Sequence, residues 1–222
     1  DYLEKYEPEK YEQEIIIDYL DDLYVTVRKD VLIQQAGGRW ITFRTDSPNA
    51  KRTWPLNRAD LKAHLEGRCA LGVLFPNTVS KVLGLDIDFV NSPSKALMAL
   101  RTIYHSITKY LPSNSLILSY SGNKGYHIDI FFDKPVSKKD LSIFYQMILA
   151  ETGYKDSEVE ARGTGDQGYK LPLGFHQKTG NYCYLCDSDG KELQGLESDH
   201  LSNIKKADPK LLHTAIKDFK KK

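Results

Sequence analysis

Cysteine is scarce, with three in 222 residues. No signal peptide accompanies them, which excludes a disulfide framework and points to a reducing compartment. Cys183 and Cys186 have knuckle spacing, but a structural zinc site needs four ligands and no second pair exists. Long hydrophobic runs are missing too. None approaches the roughly 20 residues that cross a bilayer, so no membrane partner is expected. Neither sign of charge dominates, and 31 Lys and Arg against 30 Asp and Glu leave a net charge of +1. That excludes a global basic field for nucleic acid, so any such surface must be local. No glycine-rich loop ends in the Gly-Lys-Ser/Thr of a P-loop. No elbow serine with His and Asp, and no cysteine with a partner histidine, suggests acyl transfer. The chain starts at Asp1 rather than Met and reads as a piece of a longer protein, so missing targeting signals exclude little.

What is present suffices for a fold. With 41% hydrophobic residues, the chain can bury the core of one large domain or of a domain with a small extension. The run Val82-Leu83-Gly84-Leu85-Asp86-Ile87-Asp88-Phe89 lies between Pro76-Asn77 and Asn91-Ser92-Pro93, and its length suits a strand. Strand side chains alternate faces, so Leu83, Leu85, Ile87 and Phe89 share a buried face and Asp86 and Asp88 share the other. Two adjacent carboxylates on an apolar strand repel each other and resist burial. A divalent cation with oxygen ligands is the natural group between them. A half-exposed strand with a polar outer face explains the pattern equally well.

The remaining elements follow in order. Tyr11–Leu23 suits an acidic helix, read as a solvated face or a lead-in. Strand-like segments over Tyr24–Phe43 turn at Gly37-Gly38, and Leu71–Phe75 is a further strand. Ser92-Pro93 opens a helix with Leu97, Leu100, Ile103 and Ile107 at helical spacing, and Pro112 closes it. Ser115–Tyr120 and Tyr126–Phe132 form a hairpin. Ser137 and Asp140 cap a helix ending near Gly153, and Ser157–Arg162 is a short strand. Strand, helix, strand, strand, helix, strand is a ferredoxin-like βαββαβ order. The expected fold class is α+β, with this core and an additional N-terminal α/β part packed on it. In that order the first strand lies between the third and fourth. His127 therefore flanks Asp86 and Asp88 on one side, and Glu158 and Glu160 approach from the other. Tyr182–Leu185 is a further expected strand, and His200–Phe219 a helix interrupted at Pro209.

Four stretches suit chemistry. In Ser121-Gly122-Asn123-Lys124-Gly125-Tyr126-His127, two glycines let the backbone approach a ligand, and the turn's amides can form an anion nest. Ser121 adds a hydroxyl, Lys124 a charge and His127 a donor, which together fit a triphosphate; an ordinary hairpin turn is the plain alternative. Glu158 or Glu160 would complete a three-carboxylate metal site, with Asp156 as an outside candidate. Lys170 and His176 frame Leu-Pro-Leu-Gly and could meet nucleotide phosphates or a primer end. Arg44, Lys51, Arg52 and Arg58 interleave with Trp40 and Trp54, as in a single-stranded nucleic-acid track, or as a basic loop with tryptophans in the core.

Leu85-Asp86-Ile87-Asp88-Phe89, Ser121 to His127, the acidic strand after them and Lys170-Leu-Pro-Leu-Gly-Phe-His176-Gln-Lys178-Thr-Gly180 resemble, in that order, the archaeo-eukaryotic primase superfamily. Trp54-Pro55-Leu56 and Leu71-Gly72-Val73 fit the same pattern. The likeness is greatest to primase-polymerase domains of mobile elements, phage-like modules and conflict or CRISPR-linked systems. It implies an RRM-like catalytic core and template-directed nucleotidyl transfer by two Mg²⁺ or Mn²⁺ ions. It also implies Asp86, Asp88 and Glu158 as catalytic residues, with Glu160 among the metal ligands. Ser121, Lys124, Gly125, His127, Lys170 and His176 would bind the nucleotide, and Arg44, Lys51, Arg52 and Lys178 the nucleic acid. Ala161-Arg162-Gly163 departs from the family's run there and leaves the third carboxylate open. The expected division is a lead-in over 1–38 and a catalytic domain over 39–222, with a core at about 71–187 and a helical extension at 195–222. Expected partners are NTP or dNTP, a single-stranded DNA template with primer, and further domains or a helicase, in a bacterial, archaeal or phage-encoded cytoplasmic setting. Two other readings stand beside this one: a gap-filling or end-joining polymerase of the same superfamily, and a catalytically silent single-strand-binding module.

Overall fold

The computed structural model describes residues 2–222, with side chains from Glu9 onward. The chain runs α1 (Tyr2–Tyr24), β1 (Asp30–Gln34), β2 (Trp40–Arg44), α2 (Arg58–Leu65), β3 (Ala70–Val73) and β4 (Val79–Asp88). It continues α3 (Pro93–Thr108), β5 (Leu116–Tyr120), β6 (Gly125–Ser137), α4 (Lys138–Thr152), β7 (Val159–Arg162), β8 (Tyr169–Lys170), α5 (Glu197–Ser202) and α6 (Pro209–Lys220). The strands form two antiparallel sheets in an α+β arrangement. The main sheet has the order β5-β6-β4-β7 and the small sheet β2-β1-β3-β8.

Alternation along β4 divides its surroundings. Leu83, Leu85 and Ile87 are buried against Leu100 and Ile103 of α3 and Phe144 and Ile148 of α4. Burial of each large aliphatic stabilises the fold by about 1.5–3 kcal/mol, which fixes the register: a one-residue slip would expose all three. Both helices are bounded as their sequences require. Pro93 sits in the first turn of α3. The Ser137 hydroxyl accepts from the Asp140 amide at 3.1 Å to cap α4, and left-handed Gly153 ends it.

The opposite face of the main sheet is only half covered. Val82, Ile117 and Phe131 join a second core with Ile17, Leu20 and Tyr24 of α1 and Val31, Leu71 and Val73 of the small sheet. Further along the same face of β4, Asp86 and Asp88 are left in a cleft between the sheets.

Three expectations change. The acidic N-terminal stretch is a packed helix rather than a solvated lead-in, because its acids bind other elements. Glu12 accepts from the Ser198 amide at 2.9 Å, Glu14 and Asp18 pair with Arg58, and Asp21 meets Arg28 at 2.7 Å. The division at residue 38 passes through the β1–β2 hairpin, where Gln34 pairs with Trp40. Tyr182–Leu185 is not a regular strand. It makes single bridges at Tyr182 and Leu185, and the Tyr120 amide donates to the Tyr184 carbonyl at 2.9 Å, so the segment covers the outer edge of β5. Among the described residues, no helix is long and apolar enough to cross a membrane.

Candidate active site

Registers in the main sheet align the polar residues in rows across all four strands. Ser119 pairs with His127, His127 with Asp86, and Asp86 with Glu160. One row further, Gly125 pairs with Asp88, whose amide donates to the Glu158 carbonyl at 3.0 Å. One row back, Asp129 pairs with Gly84, and Gly84 with Arg162. Residues paired across antiparallel strands project from the same face, so segments distant in sequence meet without any loop closing over them.

The cleft above these rows has a volume of about 430 Å³. Asp86 and Asp88 lie in it with Glu160, Arg162, His127, Ser121, Lys124, Lys170 and His176. His127 Nε2 is 3.3 Å from Asp86 Oδ1, and the Arg162 guanidinium lies 2.7 Å from Glu160 and 3.8 Å from Asp86. Lys124 Nζ is 3.9 Å from Asp88. These surroundings drive the two aspartates apart. Burial alone would raise the Asp86 carboxyl, but His127, Arg162 and Lys170 outweigh it and hold it below the usual range. Asp88 is pushed up, chiefly by burial and further by Asp86 and Glu160, against the pull of Lys124.

Oxygen donors are therefore present for a hard cation. Asp88 Oδ1 is buried and has no hydrogen-bond partner, an unsatisfied acceptor facing two other acids. The donor set fits Mg²⁺ or Mn²⁺ in kind. Among the described residues, no group of three or more His, Cys, Asp or Glu side chains is arranged so that it could hold a metal ion.

Residues 24–215 match the archaeo-eukaryotic primase domain of TOTE conflict systems. The chain belongs to this family. That membership supports an enzyme of the nucleotidyltransferase type. Two solved structures are similar to this primase domain. The primase-polymerase domain of cyanophage S-2L has 15% identity and a TM-score of 0.47, covering 86% of this chain and 96% of that one. The polymerase domain of Mycobacterium tuberculosis ligase D, solved with DNA, has 13% identity and a TM-score of 0.44, covering 93% and 89%. No curated protein matches the chain.

Within the primase domain, some expected residues gather at the cleft and others do not. Glu160 is the third acid there. Glu158 is not among the cleft residues, because its carboxylate accepts from the Lys155 amide at 2.9 Å and caps its own turn. Arg52 is corrected as a nucleic-acid residue. It is buried, pairs with Asp60, donates to the Trp54 carbonyl at 2.9 Å and lies 4.9 Å over the Trp54 ring. Lys170 donates to the Ser121 carbonyl and lies 3.0 Å from Cys183 Sγ, so it shapes the Ser121–Gly125 turn as well as facing the cleft. Thr179 Oγ1 and the Asn181 amide both donate to the Gly122 carbonyl, at 2.6 and 3.1 Å. Gly122 has φ +86°, and a side chain there would strike His176 and Cys183. Arg44, Lys51 and Lys178 are exposed.

Sequence reasoning missed two buried supports. Both oxygens of fully buried Asp129 accept phenol hydroxyls, from Tyr24 of α1 and Tyr169 of β8. Burial raises the Asp129 carboxyl, and burial together with Asp129 raises both phenols. The Tyr169 ring lies 4.8 Å from the His127 ring and occupies the space that a side chain at Gly84 would need. The second support is His64, also fully buried. It accepts from the Leu71 amide at 2.9 Å and holds the Pro172 carbonyl at 2.8 Å, latching the Lys170–His176 segment to β3. Asp129, two residues beyond His127 in an apolar strand, carried a readable signal; His64 carried none.

Proposed function

We propose that this primase domain joins nucleoside triphosphates in the order set by a single-stranded DNA template, and that the main sheet is an RRM-like ferredoxin core presenting the acids. Asp86, Asp88 and Glu160 would hold Mg²⁺ or Mn²⁺. When bound, such ions supply Lewis-acid stabilisation of the transferring phosphoryl group and of the attacking 3′-hydroxyl. The single observation carrying this reading is the unsatisfied, buried Asp88 Oδ1 beside Asp86, on one face of the sheet with His127.

The chain's own groups have assignable tasks. Lys124, His127 and the amides of the tied-back turn bind triphosphate oxygens and hold them in line with the acids. His127, set by Asp86 on one side and Tyr169 on the other, donates without having to reorient. Arg162 offsets the charge of Glu160 and Asp86.

Labelled dNTPs or NTPs, template and Mn²⁺ test the proposal, with and without a primer. Products are expected to lengthen along the template and to vanish with chelator. Extension that persists in Asp86→Ala/Asp88→Ala overturns it.

A further inference from the structure

The β1–β2 hairpin carries charge and a ring that the site does not use. Arg28, Arg52, Arg58, Arg68, Arg101 and Arg162 each have a carboxylate within salt-bridge reach. Arg39 and Arg44 are exposed, and no ion pair joins either to an acid among the described residues, although Asp30 is the cross-strand partner of Arg44. These two arginines bracket Trp40, a residue 37% exposed. Trp40, Thr42 and Arg44 alternate onto the exposed face of β2. Their partners Gln34 and Leu32 line the cleft with Trp40, so this face is continuous with the acids of the main sheet. Lys178 is held over the turn, where its Cβ would lie 2.9 Å from a side chain at Gly38. Gln34 locks the arrangement: its amide donates to the Gly38 carbonyl, and its oxygen accepts from Gln177 N, both at 3.2 Å.

We infer that this hairpin is a single-strand-binding surface, on which one unpaired base stacks on Trp40 while Arg39, Arg44 and Lys178 meet the flanking phosphates. The inference deepens the proposed function, since it supplies the grip for the template strand, and it requires neither metal nor nucleotide. An exposed indole between exposed guanidiniums suits a strand with free base faces. A duplex keeps those faces stacked and offers the ring nothing. An acidic peptide could meet the cations but would leave the indole unused.

The chain contains two tryptophans, so Trp54→Phe leaves Trp40 as the only indole. That variant is titrated with oligo(dT) in EDTA, without nucleotide, while indole emission and the anisotropy of labelled DNA are followed together. Emission is expected to fall saturably as DNA binds. In the otherwise natural chain, Trp40→Ala is expected to weaken binding by roughly 5- to 100-fold, with Trp40→Phe keeping most of the affinity. Arg39→Ala/Arg44→Ala should lower the salt slope by about 0.7 per cation removed. DNA binding with unchanged Trp40 emission overturns the inference, as does wild-type affinity in a folded Trp40→Ala protein. Equal quenching by duplex or by polyglutamate overturns it too. Nucleotide incorporation is read separately with metal present, so the hairpin can fail while the polymerase reading stands.

Discussion

The main sheet draws its four strands from one stretch, residues 79–162, whereas the small sheet pairs Gly72 of β3 with Lys170 of β8 across that whole stretch. They also give the cleft different things. The main sheet contributes acids and a histidine from paired strand positions, where the ladder fixes each against its neighbours. The small sheet contributes an exposed ring from an edge strand, beside a segment latched by His64. The groups proposed to hold reacting atoms stand within a hydrogen-bonded ladder, and those proposed to grip a single strand stand at an edge. Asp129 joins the two regions through Tyr24 and Tyr169.

Substitutions can break this contrast. The largest effect is expected at the ladder. Asp86→Ala/Asp88→Ala should lower Mn²⁺-dependent primer extension by 10³-fold or more, about 4 kcal/mol of barrier, with a cooperative thermal transition retained. The next sharpens the roles of two arginines in one basic stretch. Arg52→Ala breaks a buried ion pair and should cost roughly 3–5 kcal/mol in urea unfolding, whereas Arg44→Ala should stay within about 0.5 kcal/mol.

A third uses acid. His64 has its pKa lowered to about 4 by burial. The unfolded chain takes up that proton below about 6.5 and the folded chain does not. Stability from this group is therefore complete above pH 6.5 and lost as pH falls towards 4, by about 3 kcal/mol in all. Urea midpoints across that window should show the slope, and His64→Gln should flatten it. The smallest effect compares two acids on one strand. Glu158→Gln should leave extension within about twofold, since that side chain caps a turn. Glu160→Gln should lower extension more, and equal losses would show that the two acids do not differ in role.

Sequence alone reached the main sheet because its signals are local. The alternation in β4, the Ser92-Pro93 opening of α3 and the Ser137 cap of α4 lie within a few residues of what they specify. His127 could be set beside Asp86 because βαββαβ order fixes which strands are neighbours. The third acid was harder: Glu158 and Glu160 share a face, and only the contact of Glu158 with the Lys155 amide separates them. Three strands of the small sheet were legible as strand-like segments, but the one that completes it was not, for a physical reason. β8 is two residues long, and its pairing with β3 depends on a tertiary path that no local pattern encodes. Arg52 and Arg44 look alike in sequence, and only burial beneath Asp60 and Trp54 sets one apart from the other.

Helix α1 leaves the ribosome long before its partners. Tyr24 waits for Asp129 and Tyr169, Glu12 for Ser198, and Asp22 for Lys206. Until those residues emerge, Ile16, Ile17, Leu20 and Leu23 have no complete surface to cover them. Because Tyr169 is also the residue packed beside His127, the cleft cannot take its full shape until residue 169 has been made.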